Sequence, residues 1–280
     1  MKFYTYDCEV TAYDWLFVFK EKESGEYTIC HNWNDYLINF LNEEDLYCGF
    51  NSKAYDQFIV KAVVAGFTPE QIKKLSDYLI KGGRGWEYEP LQGTYFKFNN
   101  VDIFDDTQRG LSLKAIEGHL GMSIQETTVD FDLDRPWTDE ELKEMIYYCK
   151  HDVDATERLV DVRREYLKTK VNIGKMAGLD EAKALSMTNA KLTAAFLQAK
   201  KPEEPWRDER QYVYPANLKV EYIPQEVFDF FGRMKDMSIP DDCVFDEKLN
   251  IKVGGTPTVI GYGGIHAAIP NYMWVEGKQS

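Results

Sequence analysis

The opening run Phe3-Tyr4-Thr5-Tyr6-Asp7-Cys8-Glu9-Val10 constrains the fold most strongly. Its aromatic and β-branched residues predict a β-strand. Side chains two apart on a strand share a face, so Asp7 and Glu9 project side by side. Like charges that close repel unless something neutralises them. A divalent cation does so, because hard cations take carboxylate oxygens. Taken alone, the pair reads as an exposed edge-strand face with two solvated acids. The acids that it meets elsewhere in the chain decide between these readings.

Asp14 to Lys20 predicts a second strand, Glu21 to Gly25 a polar turn, and Glu26 to Cys30 a third strand. Between Asn32 and Asn42, Trp33, Tyr36, Leu37, Phe40 and Leu41 recur at helical spacing. Asp45 to Asn51 is a short strand ending in a polar loop. Three antiparallel strands, a helix and a further strand predict an α/β fold, the opening of a ribonuclease-H-like mixed sheet flanked by helices. A Rossmann unit is excluded, since no Gly-x-Gly-x-x-Gly follows the first strand. Asn51-Ser52-Lys53-Ala54-Tyr55-Asp56 then runs into the apolar Phe58 to Val64. This puts Asp56 near the first turn of a helix beyond a strand end, where ligands of open α/β sheets gather. The position equally suits an acid that only complements a helix N-terminus.

Pro69 to Ile80 predicts another helix. Lys81 to Gly85 is a flexible loop that lacks the Gly-Lys-Ser/Thr ending of a phosphate cradle. Thr94 to Phe104 alternates as a strand does. Ser112 to Gly121 is a short helix with a glycine stop, His119 at its end. Thr138 and Glu141 form a capping box that opens a long helical stretch, from about Asp139 to Lys168, with room for one break. On it Tyr148 and Asp152 are spaced i,i+4 and share a face, which alone describes an ordinary tyrosine–carboxylate pair. Asp154 lies on another face and is expected to be solvated. Residues 171 to about 200 read as helical, Pro202 to Trp206 as a linker or lid, Pro224 to Met237 as a short helix, and Lys252 to Tyr272 as Gly-rich and strand-like. The boundaries expected are 1–170, a helical connecting segment over 171–245, and a strand-rich segment over 246–280.

With 280 residues, 44% of them hydrophobic and 14% aromatic, the chain has ample material for a packed core. No apolar run approaches the ~18 residues of a membrane span, and no charged segment followed by an apolar core opens the chain, so neither a membrane nor a signal peptide is expected. Five scattered cysteines (Cys8, Cys30, Cys48, Cys149 and Cys243) without a Cys-x-x-Cys pair suggest reduced thiols in a cytoplasmic protein, with neither disulfides nor zinc. The net charge is −14. Residues 171–280 hold 13 basic and 15 acidic residues, leaving 20 and 32 in residues 1–170. The acid is thus concentrated with the carboxylate motifs. That suits a cation site and disfavours tight duplex binding through phosphate contacts, which need Lys and Arg.

Asp7-x-Glu9, then Asn51-x-x-x-Tyr55-Asp56, then Tyr148-x-x-x-Asp152 form an ordered set that resembles the DEDDy 3′–5′ exonucleases, the proofreading domains of DNA polymerases. The second motif has the form seen in family B polymerases, although Gln57-Phe58 replaces the proline that many members carry after the aspartate. The DEDDh branch would want a histidine five residues before the last aspartate; position 147 is Tyr, so His151 is not expected to be the base. The resemblance covers about residues 1–170. It implies an exonuclease with two divalent ions, Mg2+ or Mn2+. Asp7 would bridge them, Glu9 and Asp152 would complete one site, and Asp56 would hold the other, partly through water. Tyr148 would orient the attacking water, and Asn51 and Tyr55 would hold a single-stranded or frayed DNA 3′ end.

Gly263-Gly264-Ile265-His266-Ala267-Ala268, followed by Asn271-Tyr272, resembles the stretch before the first palm motif of phage family B DNA polymerases. The palm motif itself is absent from the sequence. The chain thus resembles the exonuclease-bearing N-terminal part of a phage-type polymerase, either truncated or the product of a split gene. By that resemblance it would act in an infected bacterial cell, with the palm, fingers and thumb on the same or a separate chain. Two rival readings share the motifs: a DEDD exoribonuclease, and a non-catalytic exonuclease-like module that holds DNA or a partner.

Overall fold

The computed structural model describes residues 1–107, 111–200, 224–232, 248–253, 255–261 and 264–267. The Pro202–Trp206 break, Gly263, Ala268 and Asn271-Tyr272 lie outside them. Residues 1–199 and 200–280 form two compact units. The first extends past residue 170, because the helices over 164–196 pack with the elements before them.

Five strands form one sheet: β1 (Phe3–Val10), β2 (Trp15–Glu21), β3 (Tyr27–His31), β4 (Leu46–Gly49) and β5 (Asn100–Asp102), in the order β3-β2-β1-β4-β5. β1, β2 and β3 are antiparallel neighbours, while β1–β4 and β4–β5 are parallel. This is the mixed, ribonuclease-H-like α/β sheet expected from the sequence, flanked by helices. β1 lies at its centre, so Asp7 and Glu9 are not on an edge.

Alternation along β1 divides the molecule. Tyr4, Tyr6, Cys8 and Val10 turn to one face, joined by Trp15, Phe17 and Phe19 of β2. They bury the apolar stripes of α2 (Asp56–Val64) and α3 (Pro69–Ile80), including Ile59, Val63, Ile72 and Leu75. Aromatic pairs fill this layer: Tyr6 stacks on Phe19 at 5.6 Å, and Phe40, which ends α1 (Asn34–Phe40), meets Phe19 at 4.8 Å. On the other face Asp7 sits opposite Val18 and Glu9 opposite Leu16. Here Leu16 and Val18 pack on Met145, Cys149 and Val153 of α5 (Asp139–Val162). Beside them α4 (Leu113–His119), α6 (Arg164–Met176), α7 (Glu181–Ser186) and α8 (Asn189–Phe196) complete the unit, with Ile116, Leu159, Val160 and Leu185 against Leu46, Cys48 and Val101.

The long helical stretch has one break, at Arg163 between α5 and α6. The start of α5 is fixed twice. Glu141 N donates to Thr138 Oγ1 at 3.2 Å and Thr138 N to Glu141 Oε2 at 2.8 Å. Buried Asp14, just before β2, accepts from Trp137 N at 2.8 Å while receiving Asn32 Nδ2 and contacting His31 Nε2, each at 2.8 Å. Thr138→Ala is therefore expected to cost about 1 kcal/mol, lowering the thermal midpoint by about 2–4 °C in a melting curve of the full chain.

Two expectations are corrected. The strand read over Thr94 to Phe104 is only Asn100–Asp102, because β4 offers it just Tyr47, Cys48 and Gly49 as partners. Phe96 and Phe98 nevertheless pack against the aromatic layer, which accounts for the alternation. Asp154 is not simply solvated: it accepts from Lys20 Nζ at 2.7 Å and from the Tyr27 hydroxyl.

In the second unit α9 (Gln225–Gly232) and a sheet of β6 (Leu249–Val253), β7 (Thr256–Gly261) and β8 (Gly264–Ala267) are described, all three strands antiparallel in sequence order. Val227, Phe230 and Ile260 form its small core. Among the described residues, no helix is long and apolar enough to cross a membrane.

Candidate active site

β1 and β4 run parallel, so both deliver their C-terminal ends to the same rim of the sheet. Asp7 and Glu9 lie near that end of β1, on the face covered by α5. Asp56 opens α2 just after β4. The loop that carries it is pinned from below. Ser52 Oγ and the Tyr6 hydroxyl both donate to Asn100 Oδ1 at 3.0 Å, and Lys53 N donates to Asp102 Oδ2 at 2.9 Å. The loop folds back so tightly that a Cβ on Gly49 would lie 2.6 Å from Ser52 Cβ. Asn51 takes up the turn at φ 58°, a left-handed conformation that asparagine tolerates better than most residues.

Across from β1, α5 presents Tyr148, Cys149 and Asp152. Cys149 Sγ donates to Asp7 Oδ2 at 3.6 Å, and single donor atoms of Asp7, Glu9 and Cys149 lie within 4.8 Å of one another. Asp152 is 9% exposed, and its Oδ1 has no hydrogen-bond partner. Lys114 Nζ, from α4, stands 4.0 Å from that oxygen and 4.6 Å from the centre of the Tyr148 ring. His151 faces α4, with Nε2 3.7 Å from Oε2 of the buried Glu117.

The electrostatics follow from crowding four acids into a packed rim. Burial pushes the Asp7 carboxyl well above its ordinary range, and the charges of Asp56, Glu9 and Asp152 push it further. Glu9 rises for the same reasons, burial first and then Asp152 and Asp56, with Lys114 opposing. Asp56 is pushed up to about 7 by burial, against a hydrogen bond from Cys8. Asp152 is pushed up to about 6 by burial, against Lys114. Burial, then the charges of Asp152, Glu9 and Asp7, also raises the Tyr148 phenol, which therefore stays protonated and keeps a proton to donate. An inward-facing carboxylate set, short of counter-charge and with one orphaned oxygen, fits a divalent cation in donor chemistry and charge.

The structure thus brings Asp7, Glu9, Asp56 and Asp152 into one mutually repelling cluster and sets Tyr148 one turn from Asp152. Asn51 and Tyr55 stand beside it rather than in it. They line a groove of 590 Å³ that also includes Glu9, Lys73, Ile80 and Phe131. The Tyr55 hydroxyl is tied to Ser76 Oγ at 2.7 Å, and Lys73 bonds Asp77 at 2.8 Å. Sequence reasoning missed Cys149 and Lys114. Cys149 was within view, since it follows Tyr148 inside the third motif and lies three residues before Asp152. Lys114 carries no signal of its own, because its place depends on how α4 packs on α5.

Fold and site together define a ribonuclease-H-like α/β protein with an acidic cluster at the sheet rim. No family model and no curated protein matches the chain. Among solved structures it is similar to Phi29 DNA polymerase complexed with primer-template DNA (post-translocation binary complex), with 15% identity and a TM-score of 0.36. The match covers 62% of this chain and 35% of the polymerase, so this chain spans about a third of that structure.

Proposed function

We propose that the chain is a metal-dependent 3′–5′ exonuclease, the proofreading part of a DNA polymerase, which releases mononucleotides from single-stranded or frayed DNA 3′ ends. The convergence of Asp7, Glu9, Asp56 and Asp152, with Tyr148 on the face of Asp152, carries this reading. The four carboxylates would hold two divalent ions, Mg2+ or Mn2+. Bound there, the ions would supply an acidified water and a counter-charge for the leaving oxygen. Tyr148, kept protonated, donates a hydrogen bond that orients the attacking water. Lys114 sits against both Tyr148 and Asp152 and limits the charge that builds up between them. Asn51, Tyr55 and Phe131 give the groove a polar corner and aromatic faces, and base–aromatic stacking is sequence-tolerant, as removal of any mispaired nucleotide requires.

The test is incubation of 5′-labelled single-stranded DNA and RNA with the purified chain, with Mg2+ or with EDTA. Stepwise shortening of the DNA from its 3′ end, abolished by EDTA, is expected. Preference for RNA would make the chain an exoribonuclease, and no cleavage of either would leave a non-catalytic module. Within this reading Tyr148→Phe keeps the ring and its packing and removes the hydroxyl. Turnover should fall about 10²-fold, with strand affinity nearly unchanged in a filter-binding assay.

A further inference from the structure

We propose that Cys149 is a sulfur donor of the metal centre, giving it affinity for thiophilic divalent cations such as Cd2+ and Zn2+; this rests on the reading that the acids hold divalent ions. The thiol is fully buried, packed in the cluster of Leu16, Val18, Met145 and Val153, and within it Sγ lies 3.6 Å from Asp7 Oδ2. One donor atom from each of Asp7, Glu9 and Cys149 already fits within 4.8 Å, the spread of a single ion's ligands. Independently, Asp152 lies one helical turn beyond Cys149, is 9% exposed, and its Oδ1, 4.0 Å from Lys114 Nζ, accepts no hydrogen bond.

The other described cysteines sit differently. Cys30 Sγ donates to Trp33 O at 3.3 Å, Cys48 lies among Leu46, Val101 and Ile103, and Cys8, on the opposite face of β1, hydrogen-bonds Asp56 and not the Asp7–Glu9 pair. Mg2+ prefers oxygen and would leave the thiol protonated, whereas Cd2+ or Zn2+ takes thiolate. Binding of a soft ion therefore forms a metal–sulfur bond and breaks the S–H bond, and the proton leaves to solvent.

Titration of the chelator-treated full chain with Cd2+, followed through the thiolate-to-metal charge-transfer absorption in the ultraviolet, tests this. The band should saturate at one thiolate per bound ion. It should be lost in Cys149→Ser and in Asp7→Asn, which keeps every thiol, and be retained in Cys30→Ser. If Cys149→Ser does not fold, the contrast between Asp7→Asn and Cys30→Ser decides. Absence of the band from the wild type, or its survival in Cys149→Ser or Asp7→Asn, overturns the proposal. Mg2+-dependent cleavage by the same wild-type preparation separates the two readings. Cleavage without the band removes only the sulfur donor, and the band without cleavage removes only the nuclease.

Discussion

Asp7→Asn is expected to abolish hydrolysis and, in the metal-free protein, to raise thermal stability. The two effects share one cause. Burial and the charges of Asp56, Glu9 and Asp152 hold the Asp7 carboxyl well above its ordinary range, so its ionised form is disfavoured in the folded state. Asparagine keeps the shape and an oxygen that accepts from the Cys149 thiol, and it removes the charge. At pH 8 without metal the gain should be about 1–2 kcal/mol, a rise of about 2–4 °C per kcal/mol for a unit of this size. Hydrolysis pays for that gain. On the proposed two-ion reading, losing a carboxylate common to both ions would forfeit several kcal/mol of charge stabilisation, so the rate should fall at least ~10³-fold. Calorimetry in EDTA and the labelled-strand assay read the two halves. A melting temperature lower by several degrees would make Asp7 a structural residue instead.

The parts legible in the sequence are those set by local rules. Alternation in Phe3–Val10 placed Asp7 and Glu9 on one face, and the structure keeps them there, opposite Val18 and Leu16. The Thr138–Glu141 box located the start of α5 to the residue. The run from Asn51 to Asp56 placed the acid at a helix start, where α2 does begin. What failed depends on distant partners. The length of β5 is decided by β4, fifty residues earlier, so alternation over Thr94–Phe104 could not reveal it. Asp154 looked solvated because its partners, Lys20 and Tyr27, come from β2 and β3. Lys114 was invisible for the same reason: α4 approaches α5 through Ile116 and Leu159, and only that packing brings its ammonium to Asp152.

Without metal, stability should fall as pH rises from about 5 to 8, and a divalent ion should cancel the fall. In the unfolded chain Asp56 and Asp152 ionise near pH 4. In the folded chain Asp56 is pushed up to about 7, mainly by burial, and Asp152 to about 6. Between those values the folded state binds more protons than the unfolded one, so raising the pH favours unfolding. Asp7 and Glu9 are shifted in the same direction. The depressed Glu141, held down by Arg135 to about 2, acts oppositely, but its effect is complete at lower pH. At 1.4 kcal/mol per unit, and discounting for relaxation among coupled groups, the metal-free protein should lose about 3–5 kcal/mol across the window. That is a large share of the stability of an ordinary domain. An ion that binds only the ionised carboxylates releases their protons and stabilises the folded state by mass action. Thermal unfolding from pH 5 to 8.5 should therefore show a falling midpoint in EDTA and a flat or rising one in Mg2+. General repulsion within an acidic chain would also give a falling midpoint, so the slope itself must be assigned. Asp56→Asn removes one buried proton site and hardly alters the net charge. It should make the EDTA slope distinctly shallower, and an unchanged slope in that variant would place the pH dependence outside the cluster.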